Sequence, residues 1–265
     1  MGTPPAIEVE NLVVKYGETT VLNDISARFP TGEIRVILGT SGCGKTTLLK
    51  TIVGLLKPHQ GTVRLFGEPL RDPDEPRTCE LLTRIGVLFQ NGALLGSLTV
   101  AENIALPLQM HTSLSEGMIT EIVRGKLAQV DMPHAAHLVP GELSGGMRKR
   151  AALARALVLD PPLLLCDEPS AGLDPVTAAG LDALLLRLRE TLGITVVVVT
   201  HELASIEMIA DTIIFLHKGQ TLFDGLLDDA RRIDEGPVRS FFERTEPNNQ
   251  AREGSTLPFV MESAS

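Results

Sequence analysis

The stretch "EIRVILGTSGCGKTTLLKTIVGLL", from Glu33 to Leu56, constrains this chain more than any other. A short β-branched and leucine run, Glu33 to Leu38, stops at Gly39. Leu48, Leu49, Ile52, Leu55 and Leu56 then recur at helical spacing, so the order is strand, glycine loop, helix. Glycines take left-handed backbone conformations without a steric penalty, and their amides can turn inward as a nest for phosphate oxygens. A helix beginning near Lys45 adds about half a positive charge at its N-terminus.

Gly39-x-x-x-x-Gly44-Lys45-Thr46 fits the Walker A pattern, in the strand-to-helix context that the pattern requires. Gly39, Thr40, Ser41, Gly42, Cys43, Gly44, Lys45, Thr46 and Thr47 are therefore the candidate phosphate-binding residues. Lys45 is expected to reach the β and γ phosphates of a nucleoside triphosphate, and Thr46 to offer its hydroxyl to Mg²⁺. Cys43 sits inside the loop at a helix N-terminus, where a thiolate is favoured; alkylation there is expected to inhibit and ATP to protect.

Two more compact apolar runs, "PPLLLCDEP" and "GITVVVVTHE", end in charged or titratable residues and read as buried parallel strands. The first places Asp167 and Glu168 at a strand's carboxyl end, where ligands of open α/β sheets bind. Asp167 is expected to hold the Mg²⁺ shell and Glu168 to polarise the attacking water. Between the runs, Pro175 can open a helix, and Leu181, Leu184, Leu185, Leu188 and Leu192 recur at helical spacing until Gly193 closes it. Strand, helix, strand implies an α/β fold with a parallel sheet. The alternating "IEVENLVVKYG" and "GTVRLFGEPL" suggest shorter antiparallel strands, and residues 92–158 read as mostly helical. After Thr245 the polar "EPNNQAREGST" reads as a mobile tail, residues 246–265, with "LPFVM" at 257–261 able to dock.

With 265 residues, 43% of them hydrophobic, the chain can bury a full core. A net charge of −9 disfavours a nucleic-acid partner, since neutralising phosphates takes clustered Lys and Arg. The one dense basic run, Arg148-Lys149-Arg150, reads as a solvated helix face. Cys43, Cys79 and Cys166 lack paired metal-ligand spacing and read as reduced thiols. No run approaches the roughly 18 apolar residues of a membrane span. The start "MGTPPAIEVE" lacks signal-peptide regions, and Ala6 stands where a myristoylation pattern wants Ser or Thr, so a cytosolic location is expected.

"LSGGM", Leu143 to Met147, gives the family resemblance. Ser144 with the Gly145 and Gly146 amides begins a helix whose dipole favours phosphate. Tyr16, Walker A, Gln90, "LSGGM", the Asp167-Glu168 strand, "SAGLD" and His201 follow one another in the order of an ATP-binding cassette (ABC) nucleotide-binding domain, which residues 6 to about 225 resemble. The resemblance implies a P-loop cassette with a RecA-like parallel core, an N-terminal antiparallel β subdomain and a helical signature subdomain near 92–158, the whole domain spanning 6–245. It implies that Tyr16 stacks on adenine, that Gln90 touches Mg²⁺ and senses a permease, and that Asp174 is the D-loop aspartate. It further implies that His201 contacts the γ-phosphate. ATP and Mg²⁺ are the implied ligands. Two copies are expected to clamp two ATP molecules head to tail, with Ser144 of one facing the Walker A loop of the other.

The stretches "FQNGALLGSLTVAENIALPL", "ELSGGMRKRAALARAL" and "GPVRSFFER" resemble the ATPase of the Mla-type, MCE-associated phospholipid transporters. That resemblance implies separate permease subunits, a lipid-binding MCE protein, a STAS-domain regulator, and a place on the cytoplasmic side of a bacterial inner membrane. An importer ATPase for another solute, such as an amino acid, would keep the same catalytic residues. Chromosome-organising and translation-type ABC proteins need a coiled-coil insertion or a second cassette, and a P-loop GTPase needs an Asn-Lys-x-Asp reader; the chain has none of these.

Overall fold

The structure, a computed structural model, describes residues 4–243. The 246–265 tail and "LPFVM" lie outside the described residues, as do the last two positions of the expected 6–245 domain. The chain opens with a hairpin of β1 (Ile7–Tyr16) and β2 (Thr19–Phe29) turned at Gly17. β1 buries Ile7 and Val9, then Leu12 and Val14, so the two-residue alternation slips by one at Asn11. A bulge absorbs the slip: Asn11 has φ 48°, and its side chain donates to Asp24, itself at φ 57° on β2. The same slip hides β2, whose inward residues Leu22, Ile25, Ala27 and Phe29 do not alternate cleanly. β1 falls within the stretch read as a strand, whereas β2 was not read from the sequence.

β3 (Ile34–Gly39) leads into α1 (Lys45–Ile52), followed by β4 (Gln60–Leu65) and β5 (Glu68–Pro69), which complete an antiparallel sheet in the order β2-β1-β4-β5. α1 stops before Leu55 and Leu56, which were expected on it. Gly54 at φ 74° donates to Thr51 O while the Leu55 amide reaches back to Lys50 O, a Schellman closure that turns Leu55 outward.

The chain continues through α2 (Pro76–Leu82), β6 (Ile85–Leu88), α3 (Val100–His111), α4 (Glu116–Gln129), a single 3₁₀ turn (Pro140–Glu142) and α5 (Gly145–Ala156). The stretch 92–158 thus holds three helices, with loops before α3 and between α4 and α5. Thr99 and Glu102 form a reciprocal capping box that starts α3. Buried Asn103 pins the preceding loop through its side-chain oxygen to Leu95 N and its amide to the Leu95, Leu98 and Thr99 carbonyls.

After β7 (Leu163–Asp167) come α6 (Pro175–Leu192), β8 (Thr195–Val199), α7 (Leu203–Ile209), β9 (Thr212–His217), β10 (Gln220–Leu226), α8 (Leu227–Arg231) and α9 (Gly236–Glu243). α6 opens at Pro175 and closes on Gly193 at φ 64°, as its sequence predicts. The second sheet runs β10-β9-β3-β8-β7-β6, parallel except for β10. Every residue of β3, β7 and β8 is buried because the sheet has a core on each face. Ile37, Leu165 and Val197 join β1, β2 and α1 on one side, while Val36, Leu164 and Val198 join the helices on the other. Each such side chain contributes about 1.5–3 kcal/mol by leaving water. Continuous apolar runs follow from that two-sided burial.

Candidate nucleotide site

Because β3, β8 and β7 are parallel neighbours, their carboxyl ends share one edge of the sheet: Gly39 ends β3, Thr200 and His201 follow β8, and Glu168 follows β7. A cleft of about 760 Å³ lies there, lined by Gly39 through Thr47 together with Gln90, Glu168 and His201. The loop's conformation depends on its glycines. Gly39 has φ 149°, and a Cβ there would sit 2.0 Å from Leu216 O; at Gly44, φ 106°, it would sit 2.4 Å from a Leu22 methyl. Lys45 Nζ donates to Gly39 O at 3.0 Å and Thr40 O at 3.2 Å, which holds the ammonium over the turn of amides. That combination of a glycine turn, a helix N-terminus and a held cation suits a polyphosphate.

Glu168 lies just past β7 with φ 46°, a strained backbone for a residue with a side chain. Its N–H donates to Val199 O at 2.8 Å, and its Oε1 lies 2.8 Å from His201 Nδ1. Glu168 Oε2 and Asp167 Oδ1 are buried without a partner. Burial, and then the Glu168 charge, push the Asp167 carboxyl above the usual range. Thr46 and Gln90, which line the cleft, offer a hydroxyl and an amide carbonyl, and Asp167, which is buried and does not line it, has an orphaned carboxylate oxygen; these are hard oxygen donors of the kind Mg²⁺ takes. Thr46, Gln90 and Asp167 therefore fit the cation expected of them. Among the described residues no three His, Cys, Asp or Glu side chains cluster for a metal. A cation here would accordingly rest largely on ligand oxygens and water.

The remaining expected site residues lie elsewhere in the single chain. Tyr16, half exposed at the end of β1, does not line the cleft. Ser144 caps α5 by accepting from Met147 N, and with Gly146 it lines a separate hollow of about 530 Å³ beside Val176 and Thr177. Gly145 lies in the first turn of the same helix, against Leu173. Asp174 caps α6 by accepting from Val176 N and Thr177 N, and hydrogen bonding from the Thr177 side chain, then from these N–H groups, holds its carboxyl below the usual range.

Two expectations are corrected. Cys43 is buried, and burial pushes its thiol up despite the Lys45 charge nearby, so the thiolate is disfavoured. The basic run is not a solvated face. Only Arg148 is exposed; Lys149 is buried, and Arg150 reaches Val130 O, Asp131 and Gly180 O. Charge density alone could not reveal that backbone carbonyls wait for these cations. Val21, Glu202, Leu203 and Phe241 also line the cleft and went unread. Phe241 arrives from α9, its ring edge-on to Phe215 of β9 at 5.5 Å between centroids, a contact no local pattern announces.

A glycine cradle with a fixed lysine, opposite a strand-end carboxylate pair, defines a P-loop nucleotide-binding cassette. A family model described as ABC transporter matches residues 22–171. The chain belongs to the ABC transporter family. It is 41% identical over 245 residues to the intermembrane phospholipid transport system ATP-binding protein MlaF of Haemophilus influenzae, a match covering 88% of this chain and 93% of that protein. It is 40% identical over 236 residues to the probable ribonucleotide transport ATP-binding protein mkl of Mycobacterium tuberculosis; the match covers 89% of this chain but spans only 66% of the mycobacterial protein's length. Among solved structures, the ATP-binding cassette MJ0796, a post-hydrolysis dimer bound to ADP and Pi, aligns with TM-score 0.76 and 32% identity over 83% of this chain and 98% of that one.

Proposed function

We propose that this chain binds and hydrolyses ATP as the motor subunit of a transporter whose cargo is phospholipid. The observation that carries the hydrolytic part is the Glu168–His201 pair at the mouth of the glycine loop. With Oε1 engaged by His201, Glu168 Oε2 is the oxygen left to take a proton from the attacking water as the bond between the γ-phosphorus and its bridging oxygen breaks. Lys45 and the loop amides hold the β and γ phosphates, and His201 orients Glu168 toward them. Bound Mg²⁺, held by Thr46, Gln90 and Asp167, would neutralise charge that develops on the phosphate oxygens.

Two copies arranged head to tail would bring Ser144, Gly145 and Gly146 of one to the nucleotide of the other. That the MJ0796 cassette is a dimer supports the pairing of two copies. No helix among the described residues is long and apolar enough to cross a membrane. On this reading the permease subunits are separate, and this chain is peripheral on the cytoplasmic side of an inner membrane. A groove of about 470 Å³ between α2, β6, α3 and α5, lined by Leu82, Phe89, Pro107 and Arg155 among others, adjoins Gln90 and offers a surface for the permease. An MCE protein and a STAS-domain regulator would complete the assembly.

Phospholipid is favoured because the Haemophilus relative is matched along nearly its whole length. The second reading, another solute, rests on the mycobacterial relative's name. Purifying the full chain with its membrane partners and measuring bound lipid by mass spectrometry, with ATPase in the same sample, separates them. Phospholipid and MCE protein in the complex support the first; a lipid-free complex whose ATPase responds to a soluble solute overturns it.

A further inference from the structure

α5 carries two cations that grip the loop after β6. Arg155 donates to Gly92 O and Ala93 O, each at 2.8 Å. Lys149, two turns earlier, donates to Gln90 O and also, at 3.0 Å, to Glu168 O. Lys149 is only 6% exposed, and a buried ammonium is destabilising unless its surroundings hold it. Here the holders are backbone carbonyls of the two segments that present Gln90 and Glu168 to the cleft.

Glu168 adopts a left-handed backbone conformation that is unfavourable for glutamate. Three hydrogen bonds hold it: the N–H donates to Val199 O, and the C=O accepts from Ala171 N within its own turn and from Lys149 Nζ, the one of the three that comes from the helix α5. Rotation of either peptide would swing the carboxylate away from His201. We infer that Lys149 is a positioning residue for hydrolysis, tying the signature helix and the Gln90 loop to Glu168 so that movement of that helix or loop resets the carboxylate. Lys149 does not line the nucleotide cleft, so the tie should act on turnover rather than on ATP affinity. The inference rests on the proposed ATPase reading and deepens it.

The test is steady-state ATPase of the full chain with its membrane partners. Lys149→Met, which keeps an unbranched chain one atom shorter and removes the donor, should lower kcat about tenfold or more while KM for ATP stays within about twofold. Lys149→Arg, which retains charge and donors, should restore most of the loss. Thermal melts identify a folding failure. Should Lys149→Met not fold, Lys149→Gln, shorter by one bond and uncharged, takes its place with an expected fall in kcat of several fold at constant KM. A folded Met or Gln variant with wild-type kcat overturns the inference, as does a parallel rise in KM or a failure of Arg to rescue a folded protein. Absence of ATPase in the wild type would instead count against the proposed function.

Discussion

His201 Nδ1 lies 2.8 Å from Glu168 Oε1 although 33 positions separate them in the chain. The parallel pairing of β7 and β8, with Asp167 opposite Val199, brings them together. One carboxylate oxygen is thereby oriented, and the other, buried, is left without a hydrogen-bond partner. Glu168→Gln should keep ATP binding and lower turnover by about 10² to 10⁴-fold, the usual worth of a general base. Steady-state hydrolysis near the wild-type rate would remove Glu168 from that role.

On the head-to-tail arrangement proposed above, trapped ATP should make the Glu168→Gln variant dimeric. Adding Ser144→Glu, which puts bulk and a negative charge where the partner's phosphates would approach, should return it to a monomer. Size-exclusion chromatography with light scattering reads both. A persistent dimer in the double variant would place the interface elsewhere.

Burial raises the Cys43 thiol, while Cys79 is exposed. At pH 7.5 a maleimide should therefore label Cys79 first and Cys43 slowly, because only thiolate reacts. Peptide mapping by mass spectrometry over time checks the order. Rapid labelling of Cys43 before any loss of ATPase would contradict both its burial and its place in the loop.

A methyl group at Gly39 would meet Leu216 O at 2.0 Å and Cys43 Sγ at 2.8 Å. Gly39→Ala should destabilise the fold by about 1–3 kcal/mol through overpacking and should abolish nucleotide binding. Thermal melting and a fluorescent-nucleotide titration measure the two effects. Wild-type affinity in a folded variant would show that the turn tolerates a side chain.

Asp182 of α6 is 2% exposed; its Oδ2 accepts from Ser205 at 2.6 Å and its Oδ1 has no partner. Burial pushes this carboxyl up. A carboxyl raised on folding stabilises the fold while protonated, fully below its unfolded pKa of about 3.9, and loses that contribution as pH rises through the folded value. Asp182→Asn should thus melt higher than wild type at pH 7, by about 2–4 °C per kcal/mol recovered, with the gap closing toward pH 4. A melting difference independent of pH would assign the effect to packing.

The sequence alone was enough to read the glycine loop, the strand-end carboxylates, the capped α6 and the order of motifs. Each is written in residues close together in the chain, where spacing and steric preference act directly. β2 escaped notice because paired bulges at Asn11 and Asp24 break its alternation, and α1 was read too long because Gly54 ends it while the leucine spacing continues. The partners of Lys149 and Arg155, the burial of Cys43 and the entry of Phe241 into the cleft were decided by tertiary structure. Whether a cation meets water or a carbonyl, and whether a thiol ionises, depends on segments that arrive from elsewhere in the chain, and local sequence carries no record of their approach.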